Sequence, residues 1–367
     1  MATRREALKL SGAAAALALL SPFSGAASTG VGGQTIKVGG YSYDRVQAIK
    51  DGQVGLDQAE VSFHDSNIYS LNDSAFGPDK TYEVTELGLI PYVTQYINDG
   101  FRGYTLIPVF ISRTFRHRNV YVHVDSGIEK PADLKGRKVG TPGYGSSANT
   151  WVRGMLNDQY GVAADDMHWI ETTRSSDVGV VSTANGGGSR YQLSDEFPLV
   201  KGPPGVDESE LLLSGGCDAL ITPITPRAFM EGNPEVRQLF APIKSAEQQY
   251  FQQTGVFPIM HVVAVRTDTI KANPWLPAAV FKMYSEAKQA AYANLATTTV
   301  LRTSLPWVTD EYDETRKLMG DDYWRYGIEA NRKELELVMR YTYEQGLVKR
   351  RGQFEEMFHS STIDLIG

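Results

Sequence analysis

Lys130-Pro131-Ala132-Asp133-Leu134-Lys135-Gly136-Arg137-Lys138-Val139-Gly140 holds one complete structural phrase. Pro131 to Leu134 reads as a helical turn, Gly136-Arg137-Lys138 as a tight turn, and the residues around Val139 as a strand. Thr141-Pro142-Gly143-Tyr144-Gly145-Ser146-Ser147 follows as a small-residue loop that opens a helix over 148–160. Further on, Asp218-Ala219-Leu220-Ile221 is a buried strand ending in the loop Thr222-Pro223. Strand, loop and helix in that order describe an α/β fold with largely parallel sheets.

The same order extends in both directions. Strands are expected at 36–40, 61–64, 83–88, 104–110, 120–124 and 261–266, with helices at 91–99 and, amphipathic and long, at 326–344. Gly346 ends the last of these. Residues 171–208 are rich in Gly, Ser, Asp and Pro and read as a loop or insertion. No internal repeat of fixed period is present.

The first thirty residues carry an address. Thr3-Arg4-Arg5-Glu6-Ala7-Leu8-Lys9 is a twin-arginine pattern, followed by a charge-free apolar run over 10–20 and the small residues Gly25, Ala26 and Ala27. A membrane-spanning helix needs about 20 apolar residues, so the pattern reads as a twin-arginine export signal over 1–30, cleaved near Ser28. The expected location is the periplasm or another extracytoplasmic space. Composition is that of a globular protein, 42% hydrophobic and 22% charged over 367 residues with a net charge of −7. No basic block follows the signal, which argues against nucleic acid or an anionic membrane as partner. The single cysteine, Cys217, excludes an intramolecular disulfide and reads as a packed small hydrophobe. No cysteine stands at the cleavage site to carry a lipid anchor, so no direct membrane insertion is expected.

The strand-loop-helix pieces around 130–140 resemble type II periplasmic solute-binding proteins. The likeness sharpens at Ile107-Pro108-Val109-Phe110-Ile111-Ser112-Arg113-Thr114-Phe115-Arg116-His117, at Trp151-Val152-Arg153-Gly154-Met155-Leu156 with Tyr160-Gly161-Val162, and at Thr254-Gly255-Val256-Phe257-Pro258-Ile259-Met260-His261. It continues at Tyr326-Gly327-Ile328-Glu329-Ala330-Asn331-Arg332 with Tyr343-Glu344-Gln345-Gly346. Together these resemble the 4,5-dihydroxyphthalate decarboxylase family, over nearly the whole chain after the signal except 171–208 and the opening loop. The resemblance implies a two-lobed α/β fold with a ligand cleft between the lobes. Lobe one is expected at 34–124 plus 251–367 and lobe two at 125–250, with crossings near 120–124 and 248–260.

Loops at the carboxyl ends of strands present ligand groups in open α/β sheets, and four of them suit an aromatic acid. Tyr41-Ser42-Tyr43-Asp44-Arg45 offers phenols to stack on a ring, with Tyr43, Asp44 and Arg45 as candidate ligand residues. Arg113-Thr114-Phe115-Arg116-His117-Arg118 gathers three Arg and one His within six residues. Alternation in an extended segment sends Arg113, Phe115 and His117 to one face and Arg116 and Arg118 to the other. With the family resemblance, that makes Arg113, Phe115 and His117 the cleft candidates. Gly143 to Trp151 places Tyr144, Ser146 and Ser147 at a helix N-terminus, where free N–H groups and the helix dipole favour an anion. Phe257-Pro258-Ile259-Met260-His261 contributes Phe257 and His261, and Thr222 is a further hydroxyl donor.

Two functions stay open at this level. The family takes its name from a decarboxylase of phthalate breakdown, whereas its fold is that of solute-binding proteins serving ABC transporters. Decarboxylation without an organic cofactor requires an acid to protonate the ring carbon, and His117, His261 and Glu86 are the candidates by type and position. The export signal favours the other reading, and the function expected is an extracytoplasmic solute-binding protein that captures an aromatic or other small carboxylate for an ABC-type membrane permease, with the decarboxylase as the alternative. No cofactor is expected under either. No metal site is expected, because the histidines are scattered and no Cys cluster exists. Gly-x-Ser-x-Gly is also absent.

Overall fold

A computed structural model describes residues 33–176 and 192–367. The expected export signal therefore lies outside the described residues, as do residues 177–191 of the expected insertion. From the amino end, β1 (Thr35–Gly40) is followed by α1 (Asp44–Lys50), β2 (Glu60–Asp65), α2 (Ile68–Phe76), β3 (Val84–Gly88), α3 (Leu89–Asn98), β4 (Tyr104–Leu106) and β5 (Ser112–Arg113). The chain then builds β6 (Val120–His123), β7 (Lys138–Thr141), α4 (Ser147–Tyr160), β8 (His168–Glu171), β9 (Leu199–Lys201), α5 (Glu208–Leu213), β10 (Ala219–Ile221), α6 (Arg227–Met230), β11 (Val236–Gln238) and α7 (Ile243–Thr254). It returns through β12 (Ile259–Arg266) to α8 (Thr267–Ala272), α9 (Leu276–Leu295), α10 (Val308–Met319) and α11 (Arg332–Glu344).

Two sheets result. The first has the order β2-β1-β3-β12-β4, with β5 also pairing to β12, and the second has the order β11-β6-β10-β7-β8-β9. β1 pairs in parallel with β2 and β3, while β12 enters antiparallel to β3 and β4. β3 is buried along its whole length, as expected for a strand covered on both faces. One apolar core packs α3 against α4 and runs from Leu87 and Val93 to Trp151 and Trp169, so it is shared by both sheets. A second core fills the far side of the first sheet, beneath α1 and α9. This is the two-lobed periplasmic-binding-protein fold.

The expected elements differ from the observed ones in three places. Residues 120–123, expected as a crossing at the end of lobe one, form a strand of the second sheet that pairs with β10 and β11. The strand expected over 104–110 stops at Leu106, where Pro108 has no N–H to continue the ladder. The long helix expected from Tyr326 starts only at Arg332. Gly327 adopts a φ of 93°, outside the helical region, and a Cβ there would lie 2.6 Å from the Leu365 carbonyl oxygen. Among the described residues no helix is long and apolar enough to cross a membrane.

Candidate functional site

A small cavity of about 90 Å³ lies between the lobes. Its walls come from α2 and the start of α3 on one side, and from Ser146, Ser147 and Pro223 on the other; Arg116 and His261 complete it. Drug-sized ligand pockets run to roughly 300 Å³ or more, so this cavity is small by comparison. Hydrogen bonds join the lobes beside it. Ile90 N donates to Ser147 Oγ (3.2 Å), and Trp151 Nε1 donates to the Ile259 carbonyl (2.8 Å).

His261 enters the cavity because of strand register. β12 pairs antiparallel with β3, with His261 opposite Gly88 and Val263 opposite Glu86. His261 and Glu86 are thus diagonal neighbours on one face of the sheet, within reach of long side chains. Nδ1 of His261 lies 2.5 Å from Oε1 of Glu86, a carboxylate that is only 2% exposed. The same Oε1 accepts from the Tyr43 hydroxyl (2.8 Å), and Oε2 accepts from Tyr41 N (3.1 Å). Tyr41 stacks on the imidazole with ring centroids 6.0 Å apart. Gly40 leaves room for this carboxylate, since a Cβ there would stand 3.3 Å from Oε2. With Nδ1 tied to Glu86, the exchangeable nitrogen of His261 is Nε2.

Arg116 supplies the positive charge. It donates Nε to Met260 Sδ (3.1 Å) and Nη1 to the Pro223 carbonyl (3.3 Å) and Asn119 Oδ1 (3.4 Å), all neutral groups. Among the described residues it makes no ion pair. Burial and the neighbouring Arg118 pull its pKa down to about 10 against the opposing charge of Glu247, so the guanidinium is charged at neutral pH. Beside it stands the N-terminus of α4, capped by Ser146, whose Oγ accepts from Asn149 N (3.2 Å). A desolvated guanidinium beside a helix N-terminus is a site for a carboxylate.

The other residues singled out in the sequence sit elsewhere. Arg113 is spent internally: it donates to the Phe257 carbonyl (2.7 Å), Asn331 Oδ1 (2.6 Å) and Glu334 Oε1 (3.0 Å), fully buried. Phe115 stacks on Phe257 (4.7 Å), and His117 is packed edge-on against Phe240 and Tyr250. Tyr144 packs on Trp169 and under the Arg153 guanidinium. Thr222 Oγ1 accepts from Ile224 N (3.3 Å). Asp44 pairs with Arg45 (3.2 Å), whose guanidinium lies between the rings of Tyr43 and Trp324. Of the expected set, Ser146, Ser147 and His261 line the cavity, with Glu86 and Tyr43 behind His261.

Arg116 is what the alternation argument assigned to the opposite face. β5 is extended for only two residues and a 3₁₀ turn begins at His117, so the period of two does not hold across 113–118. Arg113 turns into the lobe and Arg116 into the cleft. Met260, Asn72 and Tyr69 also line the cavity and were not expected. The Arg-rich run was the visible signal; its local geometry was not.

A family model described as NMT1/THI5 like matches residues 109–184. Among solved structures, a putative periplasmic sulfonate-binding protein of a sulfonate ABC transporter from Methylobacillus flagellatus shares the fold. Its TM-score is 0.50 at 11% identity, covering 90% of this chain and 93% of that one. A 4,5-dihydroxyphthalate decarboxylase from Pseudomonas putida is 32% identical over 216 residues, 58% of this chain and 79% of that protein. One from Comamonas testosteroni is 34% identical over 323 residues, 88% of this chain and 96% of that protein. Likeness of that extent makes this chain a member of the 4,5-dihydroxyphthalate decarboxylase family.

Proposed function

We propose that this protein is a decarboxylase of an aromatic acid such as 4,5-dihydroxyphthalate, with His261 as the proton donor. The observation that carries the reading is the 2.5 Å contact between His261 Nδ1 and the buried Glu86 carboxylate at the wall of the interlobe cavity. Ligand capture alone has no need of an oriented imidazole, whereas proton delivery to a ring carbon does. Arg116 and the N-terminus of α4 hold a carboxylate. His261, oriented through Nδ1 by Glu86, gives its Nε2 proton to the ring carbon bearing the departing carboxylate. The bond from that carbon to the carboxylate then breaks, its electron pair returns to the ring, and carbon dioxide leaves. The imidazole recovers a proton from solvent. The step balances with no electron acceptor.

A second reading is supported by the Arg4-Arg5 signal pattern and the solute-binding fold. In it the protein is extracytoplasmic, captures a small carboxylate by closure of the lobes, and delivers it to an ABC-type permease. In either reading lobe one is taken as 34–119 plus 255–367 and lobe two as 120–254, the divisions that follow sheet membership. Tyr43, Arg116, Ser146 and Ser147 are the residues assigned to ligand and its support.

The deciding measurement follows heat of binding and carbon dioxide release together on 4,5-dihydroxyphthalate. Release that falls by at least 100-fold in His261→Gln, with binding kept, is the expected result. Saturable binding with no release from the unsubstituted protein would establish the receptor reading instead.

A further inference from the structure

Glu86 Oε1 receives two donors at once, the Tyr43 hydroxyl at 2.8 Å and His261 Nδ1 at 2.5 Å. They share one oxygen and therefore compete for its charge. Tyr43 does not surrender its own proton: burial, and then the Glu86 charge, push its ionisation far above the ordinary phenol range. A phenol that stays neutral and donates to a carboxylate withdraws negative charge from it. Whatever Tyr43 withdraws is lost to the imidazolium.

Other groups surround the pair, and Ser112 also hydrogen-bonds to the Tyr43 hydroxyl. Facing His261 are Tyr41 from the loop after β1, Tyr69 and Asn72 from α2, and Arg116 from the segment after β5. Tyr284 on α9 and Tyr326 lie within electrostatic reach of Glu86, both buried phenols that remain neutral. Arg45 stands over the Tyr43 ring at 3.9 Å. Glu86 is an acidic group in contact with His261, and the Tyr43 hydroxyl donates to the same carboxylate.

We infer that Tyr43 is a positioning residue that sets the proton affinity of His261 through Glu86. Its hydroxyl keeps the imidazolium acidic enough to release a proton to a weakly basic ring carbon, and its ring, clamped by Arg45, holds Glu86 in one rotamer. The inference rests on reading His261 as the proton-carrying group of the cleft.

The test is a titration of His261 by NMR in the ligand-free protein, assigned by loss of the signal in His261→Gln. Tyr43→Phe is expected to raise the His261 midpoint by about one pH unit, with the corresponding limb of the pH–kcat profile moving by the same amount. Glu86→Gln is expected to lower it. A folded Tyr43→Phe protein with an unchanged or lowered midpoint would overturn the inference. In the unsubstituted protein a slowly exchanging Tyr43 hydroxyl proton, close in space to the Nδ1 proton of His261, is expected as well. Its absence also overturns the inference and decides the matter if Tyr43→Phe does not fold. Because no substrate is needed, a shifted midpoint without carbon dioxide release would sink the decarboxylase reading and leave the role of Tyr43 standing. Release with an unshifted midpoint would do the reverse.

Discussion

His261 and Glu86, 175 positions apart in sequence, meet at 2.5 Å inside the molecule. The antiparallel register of β12 on β3 brings them together, and a slip of one residue would send His261 to the opposite face. Replacing the carboxylate should therefore act on the histidine rather than on the fold alone. Glu86→Gln keeps a hydrogen-bond acceptor but removes the charge that favours imidazolium. The expected outcome is a kcat for carbon dioxide release lowered by roughly 10- to 100-fold with little change in ligand affinity, read from steady-state kinetics beside calorimetry.

Arg116 should govern affinity. Its guanidinium is held by neutral partners and is available to an incoming carboxylate. A charge-assisted hydrogen bond is worth roughly 1.5–3 kcal/mol, so Arg116→Ala should weaken binding of an aromatic carboxylate by about 10- to 150-fold. Arg116→Lys should recover part of it, because a single ammonium replaces a planar fork. Arg113→Lys offers the contrast, since Arg113 is engaged by Phe257, Asn331 and Glu334. A loss of affinity confined to the Arg113 variant would refute this assignment.

His117 should make stability fall in mild acid. It is 2% exposed, and among the described residues neither ring nitrogen has a hydrogen-bond partner. Burial pulls its pKa from the ordinary 6.5 down to about 4. Above pH 6.5 both folded and unfolded forms are neutral there, and this residue contributes no pH dependence. As pH falls from 6.5 to 4 the unfolded chain takes up a proton that the folded one refuses, so stability is lost across that window and levels off below it. The full loss is roughly 3 kcal/mol. Urea unfolding at pH 7 and pH 4.5 should show most of that difference vanish in His117→Phe, relative to the unsubstituted protein; equal slopes in both would contradict the account.

The Arg113–Glu334 pair predicts an asymmetric response. Both side chains are buried, with 3.0 Å between Nη2 and Oε1. Burial holds the Arg113 pKa down to about 10 even with Glu334 beside it. Removing one partner strands a charge in the interior, which costs about 3–5 kcal/mol. Glu334→Ala should therefore destabilise strongly, while Arg113→Met with Glu334→Leu should restore much of the loss. Chemical denaturation of the two variants checks this, and a mild single-variant effect would mean the guanidinium finds another partner.

Much of the fold was legible before any coordinates. The strands expected at 36–40 and 61–64, the Gly-Arg-Lys turn and the small-residue loop before 148–160 all match the observed elements. The site was legible in part. Of the residues expected at the site, His261, Ser146 and Ser147 line the cavity, because residues at strand ends and helix starts face the cleft of such folds. Arg116 was misassigned because a 3₁₀ turn at 117–119 interrupts the extended geometry on which the alternation depends. Glu86 was noted only as a possible acid, with nothing local to tie it to His261.

What the amino-acid order determined by itself is whatever rests on short-range chemistry. That includes the apolar periods, the turn residues, the capped start of α4, and the family to which those phrases belong. What only the tertiary structure decided is which charges face one another. Arg113 and Arg116 have the same side chain three positions apart, yet one is consumed by Glu334 and Asn331 while the other lines the cleft. Ionic and hydrogen-bonded pairs between distant segments depend on strand register and lobe packing. These fix positions to a few tenths of an ångström, a precision that local propensity does not carry.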